Sequence, residues 1–278
     1  MGGEFVTDDF RPEMAGRFAA WSWRRTDFAD DFASLQAAGL LAEDGGAEKI
    51  WQTSQKYVLK VRCPSGRVVA YKAYRHMDDC LRYVYRPSPL AREAMNYQRL
   101  QDLGLPMARL LAVGEDRRCF VIRGGFLATE FADCDGDGRD FCPGGRLSAN
   151  TALRDEFIQT VFGQLAQLHN AGWAHQGSTP ANFLYRLRDG HPEIIWIDVA
   201  TCRRKSRWSL KRLVPGDFVN FFRFFDFTPE EHRAFEAHYL AAAHGLFTAD
   251  ALFHAVEAAL QANPKYRRRI GKPLNRPL

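Results

Sequence analysis

The stretch Leu168-His169-Asn170-Ala171-Gly172-Trp173-Ala174-His175-Gln176-Gly177-Ser178-Thr179-Pro180-Ala181-Asn182-Phe183-Leu184 decides the reading of the fold. It leaves a segment of helical spacing, Leu153 to His169, and enters a non-helical block, His175 to Thr201. Within that block Ile194-Ile195-Trp196-Ile197 is a short apolar strand, and Asp198 stands at its end, sixteen residues after Asn182. Helical spacing returns over Leu210 to Phe225, Pro229 to Ala243 and Ala249 to Ala262.

Toward the N-terminus the texture changes. Tyr57-Val58-Leu59-Lys60-Val61, the turn Pro64-Ser65-Gly66 and Val68-Val69-Ala70-Tyr71-Lys72-Ala73-Tyr74 predict two strands joined by a tight hairpin. Ser88 and Pro89 mark a helix start, after which Leu90, Ala94, Tyr97 and Leu100 keep helical spacing until Gly104 and Pro106. Leu110 to Val113 and Cys119 to Ile122, separated by Gly114-Glu115-Asp116, predict a second hairpin, and Phe126 to Phe131 a further strand. The Gly- and Asp-rich loop Asp133 to Leu147 parts this strand-rich half from the helical one. The expected division is an extension over 1–46 with no assigned chemistry, a first domain over 47–132, and a second over 133–278 ending in a basic tail.

Composition narrows the class. The chain has 278 residues, 38 Lys+Arg against 33 Asp+Glu for a formal charge of +5, and 46% hydrophobic residues, enough for a sizeable core and against a disordered or fibrous chain. No apolar run approaches a membrane span, and Asp8, Asp9 and Arg11 stand where a signal peptide needs an apolar stretch. The six cysteines form no C-x-x-C pair, which argues against a zinc site and a disulfide scaffold and points to a reducing, cytoplasmic location. The small positive excess does not separate a nucleic-acid binder from a membrane-surface protein or an enzyme of phosphorylated substrates.

The quoted stretch, with Asp198, resembles the catalytic loop and metal-binding aspartate of the protein-kinase-like fold, in which a His opens the loop and an Asn follows seven residues later. His175 and Asn182 keep that spacing. Lys72, in an apolar strand after a hairpin, takes the place of the lysine that neutralises the α- and β-phosphates, and Glu93, 21 residues on, that of its partner. Within that superfamily the chain is most similar to the bacterial lipopolysaccharide core kinases that phosphorylate heptose or Kdo. The likeness is carried by Val69 to Tyr74, Leu90-Ala91-Arg92-Glu93 through Glu115, Leu168 to His175 and Trp196-Ile197-Asp198, over roughly residues 48 to 225. It implies an α+β, two-lobed fold, with a small antiparallel-sheet N-lobe bearing one helix and a mainly helical C-lobe. It also implies ATP as phosphoryl donor, Mg²⁺ on Asn182 and Asp198, adenine against the backbone of Glu130, Phe131 and Ala132, and a saccharide acceptor, with no nucleic-acid partner.

The pattern departs from the family at three places. The aspartate expected two residues after the His is Gly177, which has no side chain to accept a proton. The phosphate-covering loop Gln52-Thr53-Ser54-Gln55-Lys56 lacks glycine, leaving the hydroxyls of Thr53 and Ser54 as partial substitutes, and Asp198 is followed by Val199-Ala200 instead of Phe-Gly. Gly177 keeps open the alternative of a nucleotide-binding pseudokinase or a nucleotidyl transferase using the same cleft.

Other residues have plainer readings. Asp217 is expected at the start of a helix, either accepting hydrogen bonds from the catalytic loop or favoured by the helix macrodipole. His169 is read as a cap on helix carbonyls, His175 as a pin of the loop, and Phe218, Phe221, Phe222, Phe224 and Phe225 as core. Asp133-Cys134-Asp135-Gly136-Asp137-Gly138 mimics half a calcium loop, but the closing Glu position is Gly144, so it reads as a flexible acidic loop. The cations from Arg203 to Arg212, and the tail with Lys265, Arg267, Arg268, Arg269, Lys272 and Arg276, suit either a solvated surface or an acidic acceptor at the inner membrane.

Overall fold

A computed structural model describes residues 3–11, 14, 19–75, 83, 87–118 and 121–264, so the basic tail lies outside the described residues. Two compact units divide the chain: Met1–Asp102 with Met107–Ala132, and Leu103–Pro106 with Asp133–Leu278.

The first unit is built on strands β1 (Glu4–Val6), β2 (Trp21–Arg24), β3 (Glu48–Gln52), β4 (Lys56–Arg62), β5 (Val68–Tyr74), β6 (Leu110–Arg118) and β7 (Val121–Glu130). They form one sheet in the order β1-β2-β6-β7-β5-β4-β3, with β1 parallel to β2 and every other pair antiparallel. Strand alternation sorts β5 into two faces. Val69, Tyr71 and Ala73 turn into a core with Leu59, Val61, Leu111 and Ala128, covered by Phe28 and by Phe32 and Leu35 of helix α1 (Ala29–Ala37). Phe126 stacks between Phe32 at 5.2 Å and Tyr71 at 5.5 Å. Lys72, out of phase with these residues, faces the other side, where helix α2 (Pro89–Asp102) packs on β6 and β7.

Two local readings change here. Gly114-Glu115-Asp116 is strand rather than turn: β6 and β7 form one long hairpin, with Gly114 opposite Phe126. A side chain at Gly114 would meet the Phe126 ring at 2.6 Å, so this glycine marks close approach within a sheet. Residues set apart as an extension supply β1, β2 and α1, and Trp21 and Trp23 are buried against the sheet.

The second unit comprises β8 (Gly136–Asp137), helix α3 (Thr151–Asn170), β9 (Trp173–Ala174), β10 (Phe183–Arg188), β11 (His191–Trp196), β12 (Arg203–Arg204), and helices α4 (Arg207–Phe222), α5 (Pro229–Ala242) and α6 (Ala249–Ala262). At 20 residues, α3 is about 30 Å long; the Asn150 side chain caps it by accepting from the Leu153 N–H. Phe162 of α3 packs on Phe218, Phe221 and Phe222 of α4, and all four are fully buried. Helix α5 opens with a reciprocal capping box between Thr228 and Glu231.

The acidic loop is stitched to its surroundings instead of hanging free. Asp135 accepts from the Leu187 N–H, Asp137 from Arg139, and Asp140 from Tyr185 and Arg146. These carboxylates already have protein partners.

Candidate active site

In the first unit, β5 places Lys72 opposite Val58 of β4 and Leu127 of β7, in mid-sheet. Its Nζ donates to both Glu93 oxygens at 3.0 Å, with 13% of the Lys72 side chain and 1% of the Glu93 side chain exposed. Two charges withdrawn from water gain little net stability even when paired, so such a pair is weak evidence for a purely structural role. Strand phase and the α2 face bring these two together across 21 residues.

The loop between β3 and β4 behaves differently. The Thr53 hydroxyl is turned inward, accepting from the N–H groups of Gln55 and Lys56. Arg75 ties the loop down by donating to the carbonyls of Thr53 (2.6 Å) and Ser54 (3.1 Å) while its guanidinium pairs with Glu43. The Arg75 and Lys49 hydrogen bonds hold the Glu43 carboxyl down at about 2. No sequence pattern pointed to Arg75 or Glu43, because the clamp joins residues 32 apart that share no motif. At the end of β7, the Glu130 N–H donates to Arg109 O and the Phe131 N–H to Val68 O, so both amides are committed to the sheet.

In the second unit the quoted stretch is organised by one carboxylate. Asp217 is completely buried in α4 and accepts from the backbone N–H groups of His175 (2.9 Å) and Gln176 (2.6 Å), from His169 Nε2 (3.1 Å), and from the Ser178 hydroxyl (3.2 Å). Burial opposes its charge, but these donors outweigh burial and hold its carboxyl below the usual range. Helix α4 begins ten residues earlier, at Arg207 capped by Ser206, so Asp217 is not at a helix N-terminus and the macrodipole has no part in its placement. His169 likewise does not cap carbonyls: its Nδ1 meets the Tyr239 hydroxyl at 2.8 Å, and its ring joins α3, α4 and α5.

His175 is buried against Phe183 and Trp196, and its Nδ1 accepts from the Gly177 N–H at 3.2 Å. Burial lowers its pKa against the opposing pull of Asp217 and Asp198, and the Gly177 N–H donating to Nδ1 places the proton of the neutral ring on Nε2. Asn182 Nδ2 donates to Gly177 O at 2.8 Å, which fixes the orientation of the amide. The β10–β11 ladder pairs Phe183 with Trp196, and just beyond it the Ile197 N–H donates to Asn182 O at 3.0 Å. That bond places Asp198 one residue beyond the backbone partner of Asn182. Gln176 and Asp198 both have left-handed backbone, φ 60° and 53°, a conformation costly for residues with a Cβ and sustained here by the surrounding hydrogen bonds.

Asn182 and Asp198 supply an amide oxygen and a carboxylate, hard donors that suit Mg²⁺, an ion that completes its shell with water and substrate phosphate. Among the described residues no group of three or more His, Cys, Asp or Glu is placed to hold a metal ion. At Gly177 a Cβ would lie 2.7 Å from Thr201 Oγ1. The volume in which a side chain at 177 would begin is already taken by a threonine hydroxyl on an exposed residue.

The family model for the lipopolysaccharide kinase (Kdo/WaaP) family matches residues 74–239, a span that contains Glu93, His175, Asn182, Asp198 and Asp217 and begins two residues after Lys72. No curated protein matches the chain. Among solved structures the chain is similar to one described as WaaP in complex with acyl carrier protein, at 15% identity and TM-score 0.56, covering 86% of this chain and 90% of that one. It also aligns with the pseudokinase domain of BIR2, an immune regulator of the RLK/Pelle family, at 13% identity and TM-score 0.44, covering 88% and 86%. The first likeness establishes the mixed, protein-kinase-like fold, with a sheet-rich N-terminal part and a helical C-terminal part.

Proposed function

The chain belongs to the lipopolysaccharide kinase (Kdo/WaaP) family, and from that premise we propose that it transfers the γ-phosphoryl group of ATP to a sugar hydroxyl of lipopolysaccharide core, on heptose or Kdo, at the cytoplasmic face of the inner membrane. The observation that carries this reading is the loop held by Asp217, in which the Ile197–Asn182 backbone bond brings the backbone of Asp198 next to that of Asn182.

In this reading Lys72 donates to the α- and β-phosphate oxygens, and Glu93 holds its ammonium in place. The backbone from Glu130 to Ala132 receives the adenine. Of Thr53 and Ser54, Ser54 is the one that covers the phosphates, since Thr53 spends Oγ1 on its own turn and its N–H on Lys56 O. Asn182 and Asp198 hold Mg²⁺, which when bound neutralises phosphate charge. His175 does not transfer protons; it is a neutral, buried support that fixes the Gly177 amide. With no carboxylate at 177 the acceptor hydroxyl loses its proton late, to solvent, and the general-base factor of about 10²–10⁴ is forgone. The loose transition state of phosphoryl transfer tolerates that loss better than it would the loss of its charge-neutralising groups.

Gly177 also supports a second reading, a nucleotide-binding pseudokinase or a nucleotidyl transferase. Incubation with ATP labelled separately at the α- and γ-phosphates, together with core oligosaccharide acceptors, separates the readings. γ-Label on the acceptor, abolished by Asp198→Ala, is the expected result. α-Label indicates nucleotidyl transfer, and firm ATP binding with neither label a pseudokinase; either result overturns the kinase assignment.

A further inference from the structure

Between Asp198 and Asp217 the chain contains no acidic residue and six cations, Arg203, Arg204, Lys205, Arg207, Lys211 and Arg212, one more than the net charge of the whole protein. All lie in the second unit. β12 carries the first two, paired with β9 so that Arg203 stands opposite Ala174, the residue before His175. The others lead into or open α4, where Arg207, Trp208, Lys211 and Arg212 fall one turn apart on one helix face. Every cation except the half-buried Lys205 is exposed, and among the described residues none of the six forms an ion pair with an acid. Arg207 spends one N–H on the Gly245 carbonyl, an uncharged partner.

Trp208 is 64% exposed at the centre of this face, more than any other large hydrophobic side chain among the described residues, and the Arg212 guanidinium lies 3.8 Å over its ring. A lone exposed indole wastes apolar area in water. Ringed by unpaired Arg and Lys, it has the composition of a side chain seated at the headgroup level of a bilayer. No helix among the described residues is long and apolar enough to cross a membrane, so attachment through this face would be peripheral.

We propose that the face formed by β12 and the first two turns of α4 docks on an anionic bilayer, with Trp208 entering the interface and the six cations meeting lipid phosphates. A protein partner is less favoured, because binding hot spots sit in packed pockets and this indole stands out in solvent. The surface deepens the kinase reading by bringing the catalytic loop of the same unit to a membrane-borne acceptor. Its test needs neither ATP nor acceptor, so the two ideas fail separately.

The test is co-sedimentation of the full chain with vesicles of phosphatidylcholine alone or mixed with phosphatidylglycerol. The expected result is binding to the mixed vesicles only, weakening steeply with salt. Lys211→Glu/Arg212→Glu should reduce partitioning by about tenfold or more, and Trp208→Ala should reduce it several-fold with the salt dependence unchanged. A further variant replaces Lys265, Arg267, Arg268 and Arg269 by Ser. Loss of binding confined to that variant assigns the membrane contact to the tail and overturns the proposal. So does unaltered binding of the α4 variants, or capture on immobilised acyl carrier protein without vesicle binding.

Discussion

The Lys72–Glu93 pair and the Asp217 node both bury charge, but in opposite ways. Glu93 is paired with a cation that keeps 13% of its own side-chain surface in water, so the charge stays open to a ligand. Asp217 is balanced by two backbone amides, an imidazole and a hydroxyl, every donor but the part-buried Gln176 being buried, and its geometry is fixed by the fold. The first arrangement presents a charge and the second holds a shape. Gly177 then has a physical meaning: the scaffold of the loop is complete, while the side chain it would display is absent.

The largest expected effect tests that contrast directly. Asp217→Ala strands the N–H groups of His175 and Gln176 and unseats His169, and should destabilise the protein by about 3–5 kcal/mol in denaturant unfolding. Glu93→Gln should cost less, about 1–3 kcal/mol, because the Lys72 ammonium can reach water, and should act chiefly on ATP affinity. If Glu93→Gln proves the more destabilising, the distinction between a presented charge and a structural node is wrong.

An intermediate effect concerns the vacant side chain. Gly177→Asp alone should raise phosphoryl transfer little, because the new Cβ meets Thr201 Oγ1 at 2.7 Å. Combined with Thr201→Gly it should gain about tenfold or more over the single variant, part of the range available to a general base. Equal rates for the single and double variants would show that Thr201 is not what fills the place.

The smallest effect sharpens the comparison with a second buried carboxylate of the same unit. Glu236 on α5 has one side-chain oxygen, Oε1, with no hydrogen-bond partner, and burial together with the nearby Glu257 charge pushes its pKa from 4.5 to about 8. A carboxyl raised in the fold is protonated there at pH values where the unfolded chain has ionised, so its contribution to stability falls as pH rises from about 4.5 to 8 and levels off beyond. Glu236→Gln should therefore melt a few degrees higher than the native protein at pH 8 and nearly the same at pH 5, by calorimetry. An equal shift at both pH values would indicate a packing change in place of a titration.

Much of the site was legible because its members sit in strongly patterned local segments. Lys72 lies in an alternating strand, Glu93 on an amphipathic helix, and Asp198 at the end of a short apolar strand, whereas the partner strand β10 that follows Asn182 had no reading of its own. Asp217 could be named for its partners but not located in its helix, since Pro215 reads as a helix start and here lies inside α4. Gly114 read as a turn because its neighbours are turn-formers, while the reason it stays in a strand is a ring arriving from β7. The clamp of Arg75 on Thr53 and Ser54, and the filling of the Gly177 position by Thr201, left no trace in local pattern at all.

What the sequence determined by itself is therefore the order of most elements and the absence of a carboxylate at 177. Each follows from periodicity, turn chemistry or the presence of a side chain, properties that act over a few residues. Only the tertiary structure decided which carboxylates are structural and which are presented, that β1, β2 and α1 complete the sheet and its core, and that the cations between Asp198 and Asp217 have no acidic partner among the described residues. Those outcomes depend on how much water each group loses and on which distant atoms replace it, and chain neighbours carry no record of either.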